Sequence, residues 1–237
     1  MKLILALAAA VSLASCATRD VSTGGGMTLE CRGTDYCPPS RAHSSKTEVS
    51  IFTRNFTFPW AAKPAPRTEF RANIAGGRLH FAFDCDDRDL VIAREWRGES
   101  TLDGEDRVEI FFARDATLAR YFCIEIDPLG RVHDYAASHY RKFDSAWDCP
   151  GLRTAARRTK SGYRVDASLP LSALSTMMSR PVRSGDTMLA GLFRAEFYGS
   201  EPRTHGDADD NWLSWVRPTT KTPDFHVPSA FTHFTLP

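Results

Sequence analysis

Asp106 and Glu109 are the residues most readily read as an acid and a base. Glycoside hydrolysis needs two carboxyl groups about 5 to 10 Å apart, on opposite sides of a sugar ring. The run Arg107-Val108-Glu109-Ile110-Phe111-Phe112 alternates as a strand does. Side chains three apart on a strand point to opposite faces, so this pair does not converge. The plainer reading is that one carboxylate caps a turn and the other bonds a ligand or an arginine. Tryptophan offers a second chemistry, since its apolar ring can pack on the apolar face of a sugar. Trp212 follows Asp209, Asp210 and Asn211, and Trp96 sits among Arg94, Glu95, Arg97 and Gly98. Each ring could line a ligand site or cover the core. Trp215 reads as packing and Trp147, between Asp144 and Asp148, as a loop anchor.

Asp84, Asp86, Asp87 and Asp89 form an acidic stretch. Clustered carboxylates can hold calcium, but the spacing is not that of an EF-hand loop. A solvated loop is the expected state. His226, in Pro223-Asp224-Phe225-His226, reads as a satisfied buried histidine, and Asp224 can cap a turn through its own backbone. His205 and His233 have no evident partners in the sequence. No nucleophile elbow, phosphate loop or H-E-x-x-H motif occurs.

Short strands must position these residues. Leu79 to Phe83 alternates with a period of two. Arg107 to Phe112 and Tyr121 to Ile126 follow, and Pro128 and Gly130 turn the chain toward a hairpin partner at Arg131 to Ala136. Gly162 to Leu169, Met188 to Tyr198 and Phe231 to Leu236 complete the set, with one short helix around Leu171 to Met178. Many short strands separated by turns predict a β-sandwich.

The N-terminus has a different purpose. Lys2 precedes the apolar run Leu3 to Val11, which is too short to span a bilayer. The run leads into Leu13-Ala14-Ser15-Cys16, which resembles the lipobox of bacterial lipoproteins. That resemblance implies a signal peptide over residues 1–16, cleavage before Cys16 and lipidation of its sulfur. Acyl chains then anchor the chain, at about 0.8 kcal/mol per buried methylene. Ala17 resembles the residue found in lipoproteins sent to the outer membrane. Residues 17–45, with Gly24-Gly25-Gly26 and Pro38-Pro39, read as a flexible tether, and residues 46–237 as one domain. Without Lys2 the chain carries 29 basic and 29 acidic residues, which gives no electrostatic reason to expect nucleic acid. Cys31, Cys37, Cys85, Cys123 and Cys149 remain after cleavage. Outside the cytoplasm an odd count leaves at least one without an internal partner. Cys31 and Cys37 could close a small loop, and Cys85 and Cys123 could be buried thiols or a bridge.

Five runs, in order, carry a family resemblance: LHFAFDCDD from Leu79, GEDRVEIFF from Gly104, YFCIEIDPLG from Tyr121, GYRVDASLPL from Gly162, and LSWVRPTTKTPDFHVPSAF from Leu213. Together they resemble the carbohydrate-binding family 9-like domains. The resemblance implies an all-β fold, a DOMON-like or immunoglobulin-like antiparallel β-sandwich. It implies a non-catalytic module that holds a polysaccharide or oligosaccharide between aromatic rings. Glu109 matches the family's carboxylate, while Asp103 stands where the stacking Trp commonly lies. Trp96 could substitute for it from a nearby loop, Trp212 falls in the second aromatic region, and Arg131 is the polar partner. No cofactor is implied beyond a structural calcium. The alternatives are a glycoside hydrolase, a haem-binding DOMON-like module using Met188 and His80, and an envelope protein that has lost sugar binding.

Overall fold

The computed structural model describes residues 51–199 and 211–237. Cys16, the tether, Cys31, Cys37, His205, Asp209 and Asp210 lie outside the described residues. The strands are β1 (Ile51–Thr53), β2 (Thr68–Ala75), β3 (Arg78–Asp86), β4 (Arg107–Ala113), β5 (Tyr121–Ile126), β6 (Val132–Ser138), β7 (Lys142–Asp144), β8 (Arg153–Arg158), β9 (Gly162–Pro170), β10 (Thr187–Ala195), β11 (Trp212–Ser214) and β12 (Thr232–Thr235). One helix, α1 (Leu171–Met178), follows β9. A five-stranded sheet runs β1-β2-β3-β9-β8, and a seven-stranded sheet runs β11-β10-β4-β5-β6-β7 with β12 also on β10. All strand pairs are antiparallel.

The alternation of apolar residues explains the layering. Phe81, Phe83 and Val165 of the five-stranded sheet meet Val108, Ile110, Phe112, Phe122 and Ile124 of the seven-stranded sheet in one buried cluster. A fully buried aromatic contributes up to about 3 kcal/mol by leaving water, so this layer is the main source of stability. The intervening positions on β4 and β5 face away from it. There Phe111, Cys123, Tyr121 and Phe193 form a second apolar layer under Phe225 and Phe231. Gly191 permits this packing, because a Cβ there would lie 2.3 Å from the Phe193 ring.

Several expectations change. The acidic stretch is not a solvated loop. Asp84 pairs with Arg164 at 2.6 Å and Asp86 with Arg67 at 3.2 Å. Asp87 is buried and pairs at 3.3 Å with the fully buried Arg194, which also meets Glu196. Two edge elements carry too little apolar alternation to be read from sequence: β8 is Arg-Thr-Ala-Ala-Arg-Arg, and β7 has three residues. Cys85 and Cys123 are free, buried thiols, on β3 and β5 of different sheets. Met188 lies in the inter-sheet core, whereas His80 is on the other side of β3. They cannot ligate one haem between the sheets.

Candidate functional site

The outer face of the seven-stranded sheet turns polar toward one end. Glu109 on β4 is in register with Glu125 on β5, and Glu125 with His133 on β6. Residues i and i+2 share a face, so Arg107 joins Glu109, and Tyr135 joins His133. These side chains line a cavity of about 650 Å³. Trp212, on β11, and Phe143, on β7, also line it. Those are the outer strands of the sheet, so the polar strands run between the two rings. Phe143 is 49% exposed, and Trp212 is half-buried. Trp212 meets Phe225 edge-on at 5.9 Å, and Phe225 stacks on Phe193 at 4.0 Å.

Arg107 organises the polar end. Its Nε lies 3.0 Å from Glu109 Oε1 and 2.7 Å from Glu125 Oε2, as ion pairs whose angles fall short of hydrogen bonds. It donates to the carbonyls of Leu102 at 2.9 Å and Asp103 at 3.3 Å, and its guanidinium lies 5.5 Å from the Trp212 ring centre. The Tyr135 hydroxyl donates to Glu125 at 2.8 Å. His133 Nδ1 sits 3.3 Å from Asp103. Asp224 accepts from Tyr140 at 2.7 Å, from Arg141 at 3.0 Å and from the backbone of His226 at 2.9 Å, which ties the 222–226 segment to the loop before β7. His226 Nδ1 meets the Tyr121 hydroxyl at 3.1 Å.

Burial decides the protonation states. It pushes Glu109 up to about 8, assisted by the Glu125 charge and opposed by Arg107. Burial pulls His133 down, but its bond to Asp103 and the Glu125 charge outweigh that, and its net shift is upward. Burial, with the field of Arg141, pulls His226 down to about 3, so it stays neutral.

The same shifts set a pH dependence of folding. Desolvation raises Asp106 to about 8, with the charge of Asp87 adding to it, and raises Glu105 and Glu196 to about 7. A folded pKa above the unfolded value gives stability that is full below the unfolded pKa and is lost as pH rises through the folded one. His226 has the opposite sign and opposes this only below its unfolded pKa of 6.5. The unfolding free energy from urea titration is therefore expected to fall from about pH 6.5 to about pH 8.5, by an amount on the order of 2 kcal/mol. A free energy that stays level or rises would contradict these protonation states.

The four residues singled out by sequence separate into two pairs. Glu109 and Trp212 line the cavity. Arg131 and Trp96 stand together beyond it. Arg131 pairs with Asp127 at 2.5 Å and Glu105 at 2.7 Å, and its guanidinium lies 5.2 Å from the Trp96 ring centre. Asp106 is on the opposite face from Glu109 and accepts from the backbone of Val91 at 2.6 Å and Phe197 at 2.7 Å. Sequence reasoning passed over Arg107, Glu125, His133, Phe143 and Arg141. A signal existed for Glu125, a lone charge inside the apolar strand YFCIEI.

A sandwich with an aromatic-lined polar cavity on one sheet face has the form of a ligand-binding module. Residues 41–237 match the family described as carbohydrate family 9 binding domain-like, and the chain belongs to that family. Membership supports carbohydrate binding. A candidate carbohydrate-binding protein from Bacteroides uniformis is similar in structure, with TM-score 0.60 and 17% identity, over 79% of this chain and 86% of that one. A carbohydrate binding module of family 9 from Caldicellulosiruptor kristjanssonii, in complex with glucose, has TM-score 0.52 and 17% identity, over 85% and 93%. At such identities the likeness shows the shared fold. No curated protein matches the chain.

Proposed function

We propose that this chain is a non-catalytic carbohydrate-binding lipoprotein that holds a neutral oligosaccharide in the cavity on the seven-stranded sheet. The observation that carries this is the polar group Arg107, Glu109, Glu125 and His133 set between the rings of Trp212 and Phe143. Sugar hydroxyls need several donors and acceptors at fixed positions, and sugar C–H faces need apolar rings. The cations Arg107 and Arg141 are matched by Glu125 and Asp224, which favours a neutral ligand over a uronic acid. The glucose complex of the Caldicellulosiruptor module supports the same ligand class. Lipidation of Cys16 would tether the domain to the cell envelope, at the outer membrane, through residues 17–45.

A glycan array probed with the full chain in detergent tests the reading. Saturable binding to neutral β-linked oligosaccharides is the expected result. Silence across the array would favour a sandwich kept for a structural role in the envelope. Hydrolysis is not expected, because Glu109 and Glu125 lean on one guanidinium, not across an open gap. Sugar release that Glu109→Gln abolished would replace binding by glycoside hydrolysis.

A further inference from the structure

We propose that Trp96, held by Arg131, forms a second sugar platform beyond the cavity, so that the ligand is an extended glycan and not a single terminal unit. The inference rests on the binding reading above and specifies its ligand.

Glu125 opposes His133, and one step further along the sheet Ile126 opposes Val132. Asp127 and Arg131 therefore continue the same face as Glu125 and His133. Two residues along a strand span about 7 Å, a little more than one sugar unit. Arg131 thus stands next in line after the cavity floor.

Arg131 is fixed there. It bonds Asp127 through Nε at 2.5 Å, Glu105 through one terminal nitrogen at 2.7 Å, and the Ala93 carbonyl through the other at 3.2 Å. Asp127 and Glu105 are themselves buried. Its guanidinium lies 5.2 Å from the Trp96 ring centre, and that ring is still 45% exposed. An immobilised cation on one side and solvent on the other leave a ring with little freedom to lose when a ligand stacks on it. The chain also connects the two places. Trp96 runs into the 3-10 turn Glu99–Gly104, from which Ser100 and Asp103 line the cavity.

Calorimetry of the full chain in detergent with cello-oligosaccharides and xylo-oligosaccharides of one to six units tests the proposal. Affinity is expected to rise about tenfold between the shortest binding oligomer and the hexamer, as one added stacking contact allows. Trp96→Ala should remove that rise and leave the affinity for the shortest binding oligomer unchanged, while Trp96→Phe should keep most of it. Affinity independent of length in the unaltered chain would overturn the second platform alone. So would a Trp96→Ala loss that is equal for short and long oligomers. Failure of every length to bind would overturn the binding reading and this inference together.

Discussion

Replacing Arg107 by methionine is expected to destabilise the protein by about 3–5 kcal/mol and to remove ligand binding. The side chain is almost fully buried, with Glu109 and Glu125 on neighbouring strands both within 3.0 Å. Burial by itself would lower its pKa, but the carboxylates more than offset this and keep the guanidinium charged. Without it, two buried carboxyls remain and the carbonyl of Leu102 keeps only the Glu105 N–H as donor. The cost of an uncompensated buried charge exceeds the worth of the pair that held it. Adding Glu109→Gln and Glu125→Gln to Arg107→Met should recover part of the stability for the same reason. An unfolding free energy lowered by less than about 1 kcal/mol in urea titration would show that Arg107 does not hold this sheet face together.

Trp212→Ala is expected to weaken oligosaccharide binding by about 2–4 kcal/mol, or roughly 30- to 1,000-fold. Its ring borders the cavity on the strand next to β10 and packs edge-on to Phe197 at 6.0 Å and Phe225 at 5.9 Å. Two aromatic neighbours and the Arg107 guanidinium fix its orientation, so it can present one surface to a ligand without reordering. Trp212→Phe should retain a measurable part of the affinity. Trp147→Phe, a change at a partly buried ring tilted against Phe122 of the inter-sheet core, should alter stability and leave affinity near normal. Calorimetric titration of the three variants checks the set. Equal affinity in Trp212→Ala and the unaltered chain would move the sugar to another surface.

The strands that carry the inter-sheet core were legible because one face alternates cleanly, as in Leu79-His80-Phe81-Ala82-Phe83. The helix Leu171–Met178 was legible too, ending where Ser179 takes a left-handed conformation. The site was half legible. Glu109 and Trp212 could be found from local sequence, since one is a charge in an apolar strand and the other an aromatic beside polar residues. Arg107 could not be assigned, because its role comes from Glu125, eighteen positions on in the sequence but brought beside it by the β4–β5 ladder. His133 depends on the register of a further ladder, which no local pattern fixes. Phe143 sits on a three-residue edge strand whose composition gives no strand signal. Asp103, in the position where a stacking ring was expected, instead pairs with His133 at 3.3 Å at the cavity edge.

The most direct test of the central claim is to follow the indole N–H signals of the tryptophans by NMR while a sugar that binds on the array is titrated in. The account predicts a saturable shift of the Trp212 signal, with the Trp147 signal unmoved. A titration that shifted Trp147 and left Trp212 in place would contradict the assignment of the sugar site to the outer face of the seven-stranded sheet.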